Sequence, residues 1–292
     1  MEKDDIISSL SITNIPSISA IYFALLQSGY DYYPLGRTQE EIEVIEAFYN
    51  PKLFCEFFSE AKQNTCTTYL YWPRAALLES AVFYTNADIT GFSDYEAYKE
   101  FVLSATNLQD SERDENFWSW VADFPAKLRD VVCSDSFKDF LLWENAWIVQ
   151  QNKENAEDLL TLEQIIKICT SYYNTKINGI KIVLSPIKCT CSSDYHLVDG
   201  QFIFSSGEFS LESVTHEFLH YIVHPYVLKN KNSILTCQKN FDCIDSSYYL
   251  DNENGKVNAF EEYLVKTLVK DLISKTVPCD LDKYILSLIK EV

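Results

Sequence analysis

The segment SLESVTHEFLHYIVHP, at residues 210–225, carries the strongest structural and chemical signal in this chain. Its apolar residues recur at three- and four-residue spacing, which predicts a buried helix that begins near 210–213. Because proline cannot continue a helix, we expect the helix to end at Pro225. His216 and His220 lie four residues apart, so their imidazoles leave one face of the helix and can meet one metal ion. The segment therefore predicts half of a metal site.

Glu217 directly follows the first histidine and completes an HExxH pattern. In that position a carboxylate reaches the open side of a bound metal, where it can take a proton from a water of lowered pKa. The chain contains only four histidines, so composition alone produces this pattern with a chance below about one in a hundred. The competing interpretation is a core helix with incidentally spaced histidines. We expect Glu217 to act as a general base.

The identity of the third metal ligand decides the class of the site, because a catalytic zinc takes three protein ligands and keeps one position for water. An extended motif with a histidine six residues after His220 is excluded, since position 226 is tyrosine. His224 lies one turn further along the helix, but three ligands on consecutive turns do not easily converge on one ion. We favour a role for His224 in supporting a ligand or at the helix end. His196, in an irregular stretch, is a weaker candidate.

A glutamate on a following helix is the better candidate for the third ligand. The segment NAFEEYLVK at residues 258–266 offers both Glu261 and Glu262. Helical projection puts Glu261 within the apolar face and Glu262 at its border. A carboxylate buried in an apolar face needs a partner, which a metal would provide. Periodicity alone leans slightly to Glu261 and leaves both open.

The rest of the chain predicts an α+β fold that is predominantly α. Apolar spacing indicates helices at 18–26, 39–48, 52–61, 75–84, 95–104, 115–132, 136–150, 162–173, 257–273 and 281–289. Two β-branched or aromatic runs, 181–186 and 200–207, predict strands of a small mixed sheet, and the polar stretch 229–256 predicts a long loop. We expect a helical scaffold region over 1–175 and a zinc-binding catalytic region over 176–292.

Charge and cysteine content bound the partners and the compartment. A formal net charge of −19 disfavours nucleic acid and anionic membranes as partners. The acidic N-terminus does not resemble a secretory leader, and no stretch of 18 apolar residues occurs, so we expect a cytoplasmic protein. Nine cysteines fit a reducing compartment. Four of them flank the histidine motif and could pair or bind a second metal, although unrelated thiols are favoured: Cys189, Cys191, Cys237 and Cys243.

The order of these motifs resembles a known group of enzymes. HEFLH followed by YIVHP and then by EYLVK is similar to the gluzincin metallopeptidases, in particular the uncharacterised bacterial family DUF4932. The resemblance covers residues 180–270, including the Leu-Ser-Pro that closes the first predicted strand. It implies Glu262, rather than Glu261, as the third ligand. The chain departs from the family at His224, where asparagine is expected, and at Lys266, where arginine is expected.

The resemblance implies a zinc-dependent peptidase with His216, His220 and Glu262 as metal ligands and Glu217 as base. It also implies an edge strand, for which 201–205 is the candidate, that pairs with an extended peptide substrate. An oxyanion-stabilising side chain is expected, and the candidates are Tyr248, Tyr249 and His196. Two alternatives remain at this level: a non-catalytic zinc-binding interaction protein, and a metal-dependent hydrolase of a non-peptide substrate.

Overall fold

The protein is described here by a computed structural model, which covers residues 10–27, 36–50, 53, 68–69, 72–73, 79, 82–86, 88–90, 97, 100, 128–190, 193–237, 253–275 and 278–290. Within these residues the helices are α1 (Pro16–Gln27), α2 (Gln39–Ala47), α3 (Arg129–Val132), α4 (Asp135–Glu154), α5 (Ala156–Tyr172), α6 (Leu211–Lys229), α7 (Lys231–Thr236), α8 (Glu253–Lys275) and α9 (Leu281–Lys290). The strands are β1 (Ile12–Thr13), β2 (Thr68–Tyr69), β3 (Trp72–Pro73), β4 (Gly179–Leu184), β5 (Asp194–Val198) and β6 (Gln201–Ser206). The predominantly helical α+β class is confirmed. None of the described helices combines the length and apolar character needed to cross a bilayer.

The larger sheet is small and mixed, as predicted. Its strand order is β1-β4-β6-β5. β1 and β4 run parallel, whereas β5 and β6 run antiparallel. The two predicted strands at 181–186 and 200–207 correspond to β4 and β6. β2 and β3 form a separate antiparallel pair.

The sheet corrects two predictions for the stretch before α6. The segment between the predicted strands is not wholly irregular, because it contains β5. Asp199 and Gly200 have φ angles of 51° and 78°, the left-handed conformations that a tight hairpin turn requires, and they fold β5 back onto β6. The expected substrate-binding edge strand at 201–205 is also wrong. β6 lies inside the sheet, with β4 on one side and β5 on the other.

Two predicted helix limits are wrong as well. α6 continues through Pro225 to Lys229. A proline inside a helix costs about 3 kcal/mol, but the added turn buries Val227 completely, which offsets part of that cost. The predicted loop 229–256 contains α7 and the start of α8. α7 forms there because it buries Ile234, and the Lys256 ammonium donates a hydrogen bond to the Leu235 carbonyl at 2.9 Å.

Most other predicted helices are present. The patterns at 18–26, 39–48, 136–150, 162–173, 257–273 and 281–289 correspond to α1, α2, α4, α5, α8 and α9. Thr38 caps α2 through a reciprocal pair of hydrogen bonds with Glu41. The patterns at 52–61, 75–84, 95–104 and 115–132 lie largely outside the described residues.

The chain divides into two compact units whose segments interleave. The first comprises Met1–Leu10, Asn155–Ile180 and Phe209–Val292, and it contains α5 to α9. The second comprises Ser11–Glu154 and Lys181–Glu208, and it contains α1 to α4 and nearly all of the larger sheet. The predicted division into a scaffold region over 1–175 and a catalytic region over 176–292 stays a prediction.

The second unit buries a carboxylate for which the described residues supply hydrogen-bond donors but no cationic partner. Glu144 is fully buried on α4. One of its oxygens accepts hydrogen bonds from Asn14 at 2.8 Å and from Ser19 at 2.5 Å, and the other accepts from Ser185 at 3.4 Å. Burial raises the pKa of Glu144 to about 7, although these hydrogen bonds act in the opposite direction.

The same unit also buries an ion pair. The Lys188 ammonium lies 3.0 Å from a Glu79 oxygen and 2.8 Å from an Asp194 oxygen. Tyr22 and Ser205 donate further hydrogen bonds to Glu79. Burial raises the pKa of Glu79, but the charge of Lys188, the contact with His196 and the hydrogen bond from Tyr22 together outweigh burial and hold the pKa well below its usual range. Both groups are therefore charged and mutually satisfied.

Candidate metal centre

Two packed helices of the first unit carry the candidate site. α6 begins within the predicted stretch 210–213, and the Ser210 hydroxyl caps it by accepting a hydrogen bond from the Ser213 backbone N–H. α6 packs chiefly against α8. The apolar residues buried on the two helices include Val214, Phe218, Leu219, Ile222, Phe260, Leu264, Val265 and Leu268. This packing brings the histidines of α6 beside the consecutive glutamates of α8.

Three side chains converge at this interface. The Nε2 atoms of His216 and His220 lie 3.1 Å apart. Glu262 places one carboxylate oxygen 3.2 Å from Nε2 of His220 and the other 3.5 Å from Nε2 of His216. The three ligand atoms lie within 4.8 Å of one another, and they form the group among the described residues that could hold a metal ion.

The donor set and its spacing are compatible with zinc. Two imidazole nitrogens and a carboxylate oxygen are ordinary zinc ligands, whereas calcium and magnesium prefer oxygen alone. At zinc–ligand distances of about 2.05 Å, two ligands of a tetrahedral ion lie about 3.3 Å apart. The distances of 3.1, 3.2 and 3.5 Å between these donors bracket that value. The three residues therefore fit three corners of a tetrahedron, and the described residues place no fourth ligand with them.

Glu261 faces the same histidine from its other side. One Glu261 oxygen lies 2.9 Å from Nδ1 of His220. The second oxygen lies 2.8 Å from Nδ1 of His224. Glu261 is buried, whereas the His224 side chain is 51% exposed. The glutamate thus joins two histidines of α6 and stands apart from the three converging donors.

The pKa values reflect this dense arrangement of carboxylates and imidazoles. Burial alone lowers the pKa of His220, but hydrogen bonds with Glu261 and Glu262 outweigh it and raise the pKa to about 9. The nearby charge of Glu217 acts in the same direction. Burial raises the pKa of Glu262, yet hydrogen bonds with His216 and His220 hold it far below its usual range. The carboxylates of Glu217, Glu261 and Glu262 thus surround His220 with negative charge.

The other predicted site residues have different positions. Glu217 lies on α6 and is half-buried, with its charge acting on His220. His196 belongs to the second unit, where it is buried on β5 with Nε2 3.8 Å from a Glu79 oxygen. Tyr248 and Tyr249 lie outside the described residues. An oxyanion-stabilising residue and the ligand roles of the converging donors stay predictions.

Sequence reasoning missed the bridge that Glu261 makes between His220 and His224. A signal for it exists, because histidines at 216, 220 and 224 follow one face of α6 at four-residue spacing. Two consecutive glutamates on a facing helix can then contact different histidines.

Whether the four flanking cysteines pair or bind a second metal stays open, because Cys191 and Cys243 lie outside the described residues.

The gluzincin resemblance rests on residues 180–270 and stays a prediction. Its implied ligand, Glu262, is the glutamate that lies beside both Nε2 atoms. Comparisons of the chain with protein-family models, with curated proteins and with solved structures found no match.

Proposed function

We propose that this chain is a gluzincin-type, zinc-dependent peptidase that hydrolyses peptide bonds with Glu217 as its general base. The observation that carries the proposal is the convergence of three donor atoms, from His216, His220 and Glu262, at tetrahedral spacing. Glu217 directly follows His216 on α6, and a structural zinc site does not require a carboxylate at that position. The substrate would be a peptide or protein segment.

The chain's own residues supply binding and proton transfer. His216 and His220 would bind zinc through neutral Nε2 atoms, and Glu262 would bind as a carboxylate. Bound zinc would polarise the scissile carbonyl and lower the pKa of water. Glu217 would accept a proton from the attacking water at a carboxylate oxygen as the new carbon–oxygen bond forms. It would then return that proton to the amine nitrogen as the carbon–nitrogen bond breaks.

The composition of the site favours catalysis over a structural role. Structural zinc sites are usually closed by four protein ligands, whereas catalytic sites have three and keep a position open. The group among the described residues has three members.

We also propose a reducing, cytoplasmic setting. Its support is the odd total of nine cysteines and the free thiols of Cys133 and Cys237.

Three purified proteins test the proposal: wild type, Glu217→Gln and the control Glu212→Gln. Glu212 is an exposed acidic residue on the same helix. Zinc content is measured by elemental analysis, and cleavage is measured on an unstructured protein. We expect equal zinc in all three proteins and a loss of cleavage in Glu217→Gln alone, by at least about 100-fold.

Three results would count against the proposal. Absence of zinc from all three proteins, under conditions that leave a control zinc enzyme loaded, removes the metal centre. Zinc without cleavage by wild type favours a binding module or a hydrolase of another substrate. Cleavage by Glu217→Gln at the wild-type rate excludes Glu217 as the base.

A further inference from the structure

We infer that His224 is a positioning residue of the metal centre, which acts by holding the Glu261 carboxylate against His220. The inference rests on the proposed function in one respect, namely that His216, His220 and Glu262 bind a metal. It concerns residues outside that ligand group. The continuous chain of contacts runs from His220 Nδ1 through both Glu261 oxygens to His224 Nδ1.

The first step of the argument concerns the cost of burying Glu261. The residue is only 6% exposed. A buried carboxylate is costly unless its oxygens receive hydrogen bonds. The contacts of 2.9 Å to His220 and 2.8 Å to His224 give each oxygen one imidazole partner. Without His224, one oxygen would lose its partner and the carboxylate would be free to rotate away from His220.

The second step concerns the tautomer of His220. An imidazole binds a metal through one nitrogen, and the hydrogen bond at the other nitrogen sets which one that is. With Nδ1–H donating to Glu261, the lone pair of His220 lies on Nε2. That nitrogen is the one beside His216 and Glu262. Glu261 therefore fixes both the tautomer and the orientation of the ring.

The third step excludes direct metal binding by His224. Its Nδ1 is engaged by Glu261 at 2.8 Å, and it is not a member of the converging group among the described residues. Its ring is half-exposed at the end of the chain of contacts, beyond the buried carboxylate. His224 thus acts on the metal through Glu261 rather than by touching it.

Zinc affinity, measured by competition with a chelator, tests this role without using catalysis. Removal of a side chain that orients a metal-binding histidine costs about 10–100-fold in affinity. We expect Glu261→Ala to fall in that range and His224→Ala to fall near its lower end, at about tenfold. His224→Asn should restore affinity, because the asparagine amide donor is one bond from Cγ, as Nδ1 is in histidine. Leu228→Ala is the control, since Leu228 is comparably exposed on the same helix.

A double-mutant cycle decides whether the effect passes through Glu261. His224→Ala should cost affinity in the wild-type background and nothing further in the Glu261→Ala background. Equal losses in both backgrounds, or wild-type affinity in His224→Ala, would overturn the inference. Wild type that binds zinc but cleaves no peptide would remove the peptidase proposal and leave this role supported or refuted on affinity alone. Failure of wild type to bind zinc would overturn both.

Discussion

Glu144→Gln should make the second unit more stable at alkaline pH than it is in the wild-type protein. The pKa of Glu144 rises from 4.5 to about 7 because burial disfavours its ionised form. Each pKa unit corresponds to about 1.4 kcal/mol. Ionisation of Glu144 therefore costs about 3 kcal/mol of folding free energy, an order-of-magnitude figure for a fully buried group.

The sign of the pH dependence follows from which state holds the proton. Between pH 4.5 and about 7 the folded protein keeps the Glu144 proton, whereas the unfolded chain has released it. The contribution of Glu144 to stability is thus fully present below pH 4.5 and is lost as pH rises through about 7. Glutamine never ionises. Its single carbonyl oxygen can accept from Asn14 and Ser19, which both donate to one oxygen of Glu144.

Urea unfolding, followed by tryptophan fluorescence, measures the unfolding free energy of the second unit, which contains Glu144. All five tryptophans lie within residues 11–154, which belong to the second unit. We expect the difference in unfolding free energy, Glu144→Gln minus wild type, to rise by most of the 3 kcal/mol between about pH 5 and about pH 8.5. Asp139→Asn, an exposed change on the same helix, should give a flat difference. A flat difference for Glu144→Gln as well would refute the reasoning.

Two further predictions concern buried charge and metal binding. Lys188→Met leaves the Glu79 carboxylate buried without its cation and should lower the unfolding free energy by about 3–5 kcal/mol in the same fluorescence assay. Lys138→Met, at an exposed ion pair, should leave the unfolding free energy almost unchanged, and similar losses in both variants would contradict the argument. Zinc at about a thousand times its dissociation constant should raise the unfolding free energy of wild type by about 4 kcal/mol. Calorimetry should show no such gain for His220→Ala, and an equal gain would exclude His220 as a ligand.

The fold was predictable where a long helix buries one face. The repeating apolar positions of α6 and α8 are visible in the sequence because each helix packs along most of its length. The cap of α2 was also visible, since Thr38 and Glu41 have the spacing of a capping box. Local chemistry and tertiary packing agree at these points.

The fold was not predictable where tertiary packing overrides a local rule. Pro225 should end a helix, yet burial of Val227 keeps the helix intact for another turn. β5 is short, and its stability depends on β6. Its cue was the Asp199-Gly200 pair, which favours a two-residue hairpin and would have given β6 a partner strand on one side.

The two consecutive glutamates of α8 show why the site could be predicted only in part. Adjacent residues of a helix point about 100° apart, so Glu261 and Glu262 meet His220 at different nitrogens. The premise that favoured Glu261, that a carboxylate in an apolar face needs a partner, is sound, since Glu261 is the more buried of the two. Its partners are the imidazoles of His220 and His224. Helical periodicity predicts which carboxylate is buried, but only the position of the facing histidine determines which carboxylate can share a metal with it.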